Sequence, residues 1–160
     1  LAWCDYRMHL KPGSDQGRAL GAKLHGIFSG IRSDYAKTCL ALHFCELMLR
    51  LTPERQTSPE KYFLLLETLQ ALDSARGKYS WFRPAFTLRL LDLGGFGVRK
   101  TALGIDSRLW DILHSERMGL LEDFPESASD GGHVIEIAEK FLNEQLSKPL
   151  KTVPFIENAF

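Results

Sequence analysis

Apolar positions along the chain change their spacing near residue 30, from strand-like to helical. In Leu1–Leu10, aromatic and apolar residues partly alternate with polar ones. Lys11-Pro12-Gly13-Ser14-Asp15-Gln16-Gly17 is a dense turn signal, and a second strand-like run, Arg18 to Phe28, follows. Two such runs around a Pro/Gly/Ser/Asp cluster predict a β-hairpin. Two strands alone are marginal in water, so this pair must pack on helices or belong to a larger sheet.

From about Ser33 the period is helical. Between Tyr35 and Leu51, apolar residues including Leu40, Leu42, Phe44, Leu47, Met48 and Leu49 surround most of the circumference. His43, Glu46 and Arg50 leave a narrow polar stripe. Such a helix is expected to be the central, buried one. Thr52-Pro53 stops it. A second helix starts at Ser58-Pro59-Glu60, with Ser58 as N-cap, Pro59 in the first turn and Glu60 at the positive end of the dipole. Its expected buried face is Tyr62, Leu65, Leu66, Leu69 and Leu72, and Gly77 marks its end. Pro84 requires the third helix to begin or kink near Arg83. That helix places Phe86, Leu90 and Leu93 on one side, widened by Ala85, Leu88 and Leu91, and Gly94-Gly95 gives a left-handed exit. Asp106 is expected to cap a short helix carrying Leu109, Trp110, Ile112 and Leu113 and stopped at Gly119. Pro125–Gly132 reads as a loop. Val134, Ile137, Ala138, Phe141 and Leu142 form the apolar face of a last helix. The predicted fold is mainly α, a compact bundle of about five helices preceded by a short hairpin.

Composition adds bounds rather than chemistry. The 160 residues suffice for one domain, or one domain with an appendage. Hydrophobic residues at 44% and charged residues at 25% indicate a chain that buries a core. Lys plus Arg (20) equals Asp plus Glu (20), so net charge gives no support to nucleic-acid binding, although a local basic patch remains open. Three cysteines without paired spacing point to a reduced, cytoplasmic protein. No apolar run approaches the ~20 residues that span a bilayer. The chain starts at Leu1 inside a strand-like segment, which suggests that an upstream part is missing.

Catalytic and metal motifs are weak. Cys39, His43 and Cys45 do not share one helix face and fall short of four zinc ligands, so buried cysteines acting as small hydrophobes are expected. The five histidines have no Ser or Cys partner in a recognisable motif. Gly94-Gly95-Phe96-Gly97 follows a helix and lacks the Lys-Ser/Thr of a phosphate loop. A cluster of basic residues is more suggestive: Arg76, Lys78, Arg83, Arg89, Arg99 and Lys100 occupy one 25-residue stretch opposed only by Asp92. Tyr79, Trp81, Phe82, Phe86 and Phe96 interleave with them. This mixture suits nucleic acid, an acidic peptide with an aromatic end, or a solvated helix face over core aromatics.

Three segments in order carry a family resemblance. They are Pro59-Glu60-x-x-Phe63-Leu64-Leu65-Leu66-x-x-Leu69, then Phe86 to Gly97, then Lys148-Pro149-Leu150-Lys151. Together they resemble the helical domain of the RecO family of bacterial recombination mediators, over most of residues 33–156. The resemblance implies that residues 1–29 are the last strands of an incomplete oligonucleotide-binding (OB) barrel and that residues 30–160 are the helical domain. It implies a cytoplasmic, non-enzymatic DNA repair and recombination mediator that assists single-strand annealing and recombinase loading. Implied partners are single- and double-stranded DNA, a RecR-like mediator and the acidic, Phe-ending tail of single-stranded DNA-binding protein; no membrane or small-molecule substrate is implied. Arg83, Arg89, Arg99 and Lys100 are candidates for charged contacts, and Phe86 and Leu90 for pocket walls. The chain departs from the family at three points. Residues 99–108 hold no cysteine, so the zinc site of some members is absent and no cofactor is expected. Thr87 replaces a frequent acidic residue, and one extra Gly is present. The alternative is a helical protein-interaction module without nucleic-acid binding.

Overall fold

The computed structural model describes residues 1–13, 16–54, 56–76, 79–96, 107–115, 117–123, 128–146 and 148–159. Strands β1 (Ala2–Leu10) and β2 (Gly17–Ile27) pair antiparallel from Ala2↔Ile27 to Leu10↔Gly17, with irregularities at Trp3/Cys4 and Arg7/Met8. The helices are α1 (Ser29–Arg32), α2 (Tyr35–Leu51), α3 (Pro59–Ser74), α4 (Phe82–Leu93), α5 (Ser107–Ser115), α6 (Ala128–Gln145) and α7 (Val153–Glu157), with a 3₁₀ segment at Met118–Asp123. Five of these helices have nine or more residues. The fold is mainly helical with an N-terminal two-stranded sheet, as the sequence predicts.

The hairpin stands largely in solvent. Tyr6, Met8, Leu10, Leu20, Leu24 and Ile27 are all more than half exposed. Trp3 ties it to the helices: its ring packs against the core, and its Nε1–H donates to the Tyr62 hydroxyl at 2.9 Å.

The central helix is α4, not α2. Phe82, Ala85, Phe86, Leu88, Leu90 and Leu91 have no exposed surface, and α4 packs against α2, α3, α5, α6 and the 3₁₀ segment. Phe86 meets Phe44 of α2 with ring centroids 4.6 Å apart. Helix α2 buries one side, whereas Tyr35, Leu42 and Leu49 face outward, seven residues apart and 63%, 49% and 79% exposed. Pro84 lies in the first turn of α4, where no intrahelical bond is lost. The left-handed exit falls on Gly95, at φ +77°, while Gly94 remains right-handed.

Helix α3 is rotated from its predicted face. Lys61, Leu64, Thr68, Leu69 and Leu72 are buried, Leu65 and Leu66 partly so, and Tyr62 is exposed. The cause is Lys61, whose ammonium donates to the Leu51 carbonyl at 2.8 Å and caps the end of α2. Lys37, near the start of α2, reciprocates by donating to the Asp73 and Ala75 carbonyls at the end of α3. Ser58 occupies the N-cap position of α3, but its hydroxyl makes no capping bond. The capping carboxylate belongs instead to Asp34 at the start of α2, which accepts from the Lys37 N–H at 3.0 Å.

Two boundaries differ from expectation. Helix α6 begins at Ala128, inside the stretch read as a loop. Gly119 lies within the 3₁₀ segment rather than ending α5. The short helices α1 and α7 have too few residues for a periodic signal. The expected roles of Gly77 and Asp106 fall outside the described residues.

Helix α1 meets α3 closely enough to exclude a side chain at Gly30. A Cβ there would lie 2.1 Å from the Asp73 carbonyl oxygen, and the Asp73 carboxylate accepts from the Ile31 N–H at 2.9 Å. Gly30→Ala is expected to destabilise the fold by about 1–3 kcal/mol. Denaturant titration should show a lower midpoint with an unchanged m-value. Gly119→Ala, where a Cβ meets nothing within 4 Å, is the control. An unchanged midpoint for Gly30→Ala contradicts this contact.

Candidate partner-binding site

A pocket of about 180 Å³ opens where four helices converge. Its lining comprises Leu40 of α2, Tyr79 and Ser80 before α4, Arg83 of α4, Ile135 of α6, and Ile156 and Glu157 of α7. Cavities near 150 Å³ accept a benzene-sized group, so this one suits a single aromatic or branched side chain.

Arg83 supplies the positive charge in the wall. Its Nη2 is hydrogen-bonded and ion-paired with Glu139 Oε1 of α6, while its Nε–H meets no acceptor among the described residues. Burial pushes the Glu139 carboxyl up, Arg83 offsets part of this, and Glu157 adds to it. Arg83 and Glu157 thus both line the pocket, and Glu139 pairs with Arg83 without lining it. Partial burial of Glu139 outweighs its pairing with Arg83.

The other predicted site residues do not gather here. Phe86 and Leu90 are fully buried in the core and line no part of this pocket, so as placed they cannot wall it. Arg89 donates from Nε to the Leu113 carbonyl at 2.6 Å, on the α5 side of α4. Arg99 and Lys100 lie outside the described residues. Among the described residues, no group of three or more His, Cys, Asp or Glu could hold a metal ion. Cys39 is buried near the Tyr35 hydroxyl, and burial pushes the Cys45 thiol up.

Sequence reasoning missed the use of the α2 polar stripe. Glu46 accepts from the Lys151 N–H at 2.9 Å, the Thr152 N–H at 3.0 Å and the Thr152 hydroxyl at 2.8 Å. With its hydrogen committed to Glu46, the Thr152 Oγ1 must accept from His43, 2.8 Å away, which fixes the proton on Nδ1. Arg50 Nη2 donates to the Lys148 carbonyl at 2.8 Å, and Leu150 is buried. The Lys148–Lys151 motif and the Thr152 that follows it therefore dock on His43, Glu46 and Arg50. The available signal was a polar stripe on an otherwise apolar helix, but nothing in the sequence names its partner.

Residues 32–102 match the family model described as "Recombination protein O C terminal". A DNA repair protein RecO from Dehalococcoides mccartyi is 28% identical over 94 residues, covering 59% of this chain and 37% of that protein. The chain therefore spans little more than a third of that relative's length. No solved structure matches the chain.

Burial holds the His43 pKa down at about 4; Arg83 also lowers it and Glu46 partly compensates. The unfolded chain, with an ordinary value near 6.5, takes up a proton before the folded one does. The contribution of His43 is complete above about pH 6.5 and is lost as pH falls toward 4. Stability is expected to decline over that window by up to about 1.4 kcal/mol per pH unit. His43→Gln should flatten the decline in urea titrations at stepped pH; an equal slope in the variant contradicts the assignment.

Proposed function

Because the chain belongs to the RecO family through residues 32–102, we propose that it acts in DNA repair and recombination as a non-catalytic mediator. In this reading it assists single-strand annealing and recombinase loading. It works with DNA, with a RecR-like mediator, and with the acidic tail of single-stranded DNA-binding protein. The observation that carries the tail-binding part is the apolar pocket with the Arg83 guanidinium in its wall. A terminal Phe ring suits the apolar volume, and its carboxylate suits a charge-assisted bond from Arg83.

A second reading, a protein-interaction module without nucleic-acid binding, is favoured by one observation. Arg83 and Arg89 are both engaged internally, by Glu139 and the Leu113 carbonyl. Direct DNA contact by this part of the chain would then rest on other residues, Arg99 and Lys100 first. Salt separates the readings. Binding to single strands should weaken with a log–log slope of about −0.7 per neutralised phosphate. A pocket with an apolar anchor should respond far less.

Fluorescence anisotropy with a labelled acidic peptide ending in Asp-Phe, beside labelled single-stranded DNA, tests both. Removing the terminal Phe should weaken the peptide at least about tenfold, or 1.4 kcal/mol. Arg83→Lys keeps the charge but loses the fork and should weaken it less, whereas Glu157→Gln should tighten it by removing a repelling carboxylate. Peptide affinity that ignores the terminal Phe contradicts the tail-binding reading.

A further inference from the structure

We propose that Lys148–Glu157 is a latch whose docking on α2 through Glu46 builds one wall of the apolar pocket, so that pocket occupancy and latch closure reinforce each other. The inference rests on the reading above only for the identity of the natural ligand.

The pocket's walls are unequal. Leu40, Arg83 and Ile135 belong to helices of 17, 12 and 18 residues. Ile156 and Glu157 belong to α7, which has five residues. A helix of that length does not persist alone in water, so attachments outside it must set its position. Thr152 is the junction. Its carbonyl accepts from the Phe155 and Ile156 N–H groups at 3.1 and 3.2 Å and so opens the first turn of α7. Its own N–H and hydroxyl end on Glu46, and its Oγ1 accepts from His43. The residue that starts the helix is thus the residue that α2 holds. Arg50 fixes the upstream end through the Lys148 carbonyl, and Leu150 and Ile156 are the buried apolar anchors on either side.

Glu46 does not line the pocket, which makes it a positioning residue. With the latch open, Ile156 and Glu157 leave and the pocket loses one side. A ligand that touches Ile156 binds the closed form better, and by linkage it must favour closure by the same factor. Segments held by few contacts open independently of the whole fold, and hydrogen exchange resolves such opening.

The test combines hydrogen exchange with binding in the same variants. Two probes are used: the acidic peptide ending in Asp-Phe, and hydrocinnamate, a small aromatic carboxylate that reports the pocket without a partner sequence. In wild type, a saturating probe should slow exchange over residues 153–157. Glu46→Gln should speed exchange over 148–157 at least tenfold, leave α3 and α4 amides unchanged, and weaken both probes at least fivefold. Thr152→Val should do the same if Glu46→Gln disturbs the wider fold, and Thr152→Ser should restore wild-type behaviour. Faster exchange over 148–157 with unchanged affinity overturns the inference, as does a wild-type segment whose exchange ignores a bound probe. Wild type that takes hydrocinnamate but not the peptide, with the Glu46 effect intact, supports the latch and removes the tail reading. Wild type that takes neither overturns both.

Discussion

The carboxylate of Glu46 accepts three hydrogen bonds from residues 105 and 106 positions further along the chain, and the closed form of the helical domain depends on it. Burial alone would push this carboxyl up. The Lys151 N–H, the Thr152 hydroxyl and N–H, and the His43 ring together hold it below the usual carboxylate range. Each bond to an ionised acceptor is stronger than a neutral one. Around Glu46, the Thr152 hydroxyl is both donor and acceptor, so one proton arrangement satisfies His43, Thr152 and Glu46. Such a network rigidifies when complete and is costly when one member is missing.

The same economy of polar groups recurs at the helix ends. Lys37 and Lys61 are 6% and 5% exposed, and each closes the last carbonyls of the neighbouring helix. The exchange locks α2 and α3 side by side and fixes which face of α3 turns inward. It also uses two cations internally, as do Glu139 for Arg83 and the Leu113 carbonyl for Arg89. Arg83 and Arg89, two of the basic residues that look like a surface patch in the sequence, are here structural partners.

The sequence made legible what local chemistry dictates. Pro59 and Pro84 sit in first turns, Gly95 takes the left-handed exit, and Val134, Ala138 and Leu142 are buried at the predicted spacing. Where apolar residues are too many, period cannot choose a face. Residues 62–66 of α3 are Tyr-Phe-Leu-Leu-Leu, and the rotation is decided by Lys61 and Thr68, which a hydrophobic pattern ignores. Helix α2 misled for the same reason: surplus apolar residues at Tyr35, Leu42 and Leu49 face outward rather than mark a centre. The site was half legible. Arg83 lines the pocket, but Ile135, Ile156 and Glu157 come from far along the chain. Phe86 and Leu90, chosen for their place in a motif, serve the core.

In the proposed reading, a pocket shared by α2, α4, α6 and the C-terminal latch receives an aromatic side chain. Methyl-resolved NMR during titration with the acidic peptide ending in Asp-Phe tests it most directly. Progressive shifts of the Leu40, Ile135 and Ile156 methyls are expected, with Leu42 and Leu49 on the outer face of α2 unmoved. Shifts confined to Leu42 and Leu49, or to Leu20, Leu24 and Ile27 of the hairpin, would place the partner elsewhere and contradict it.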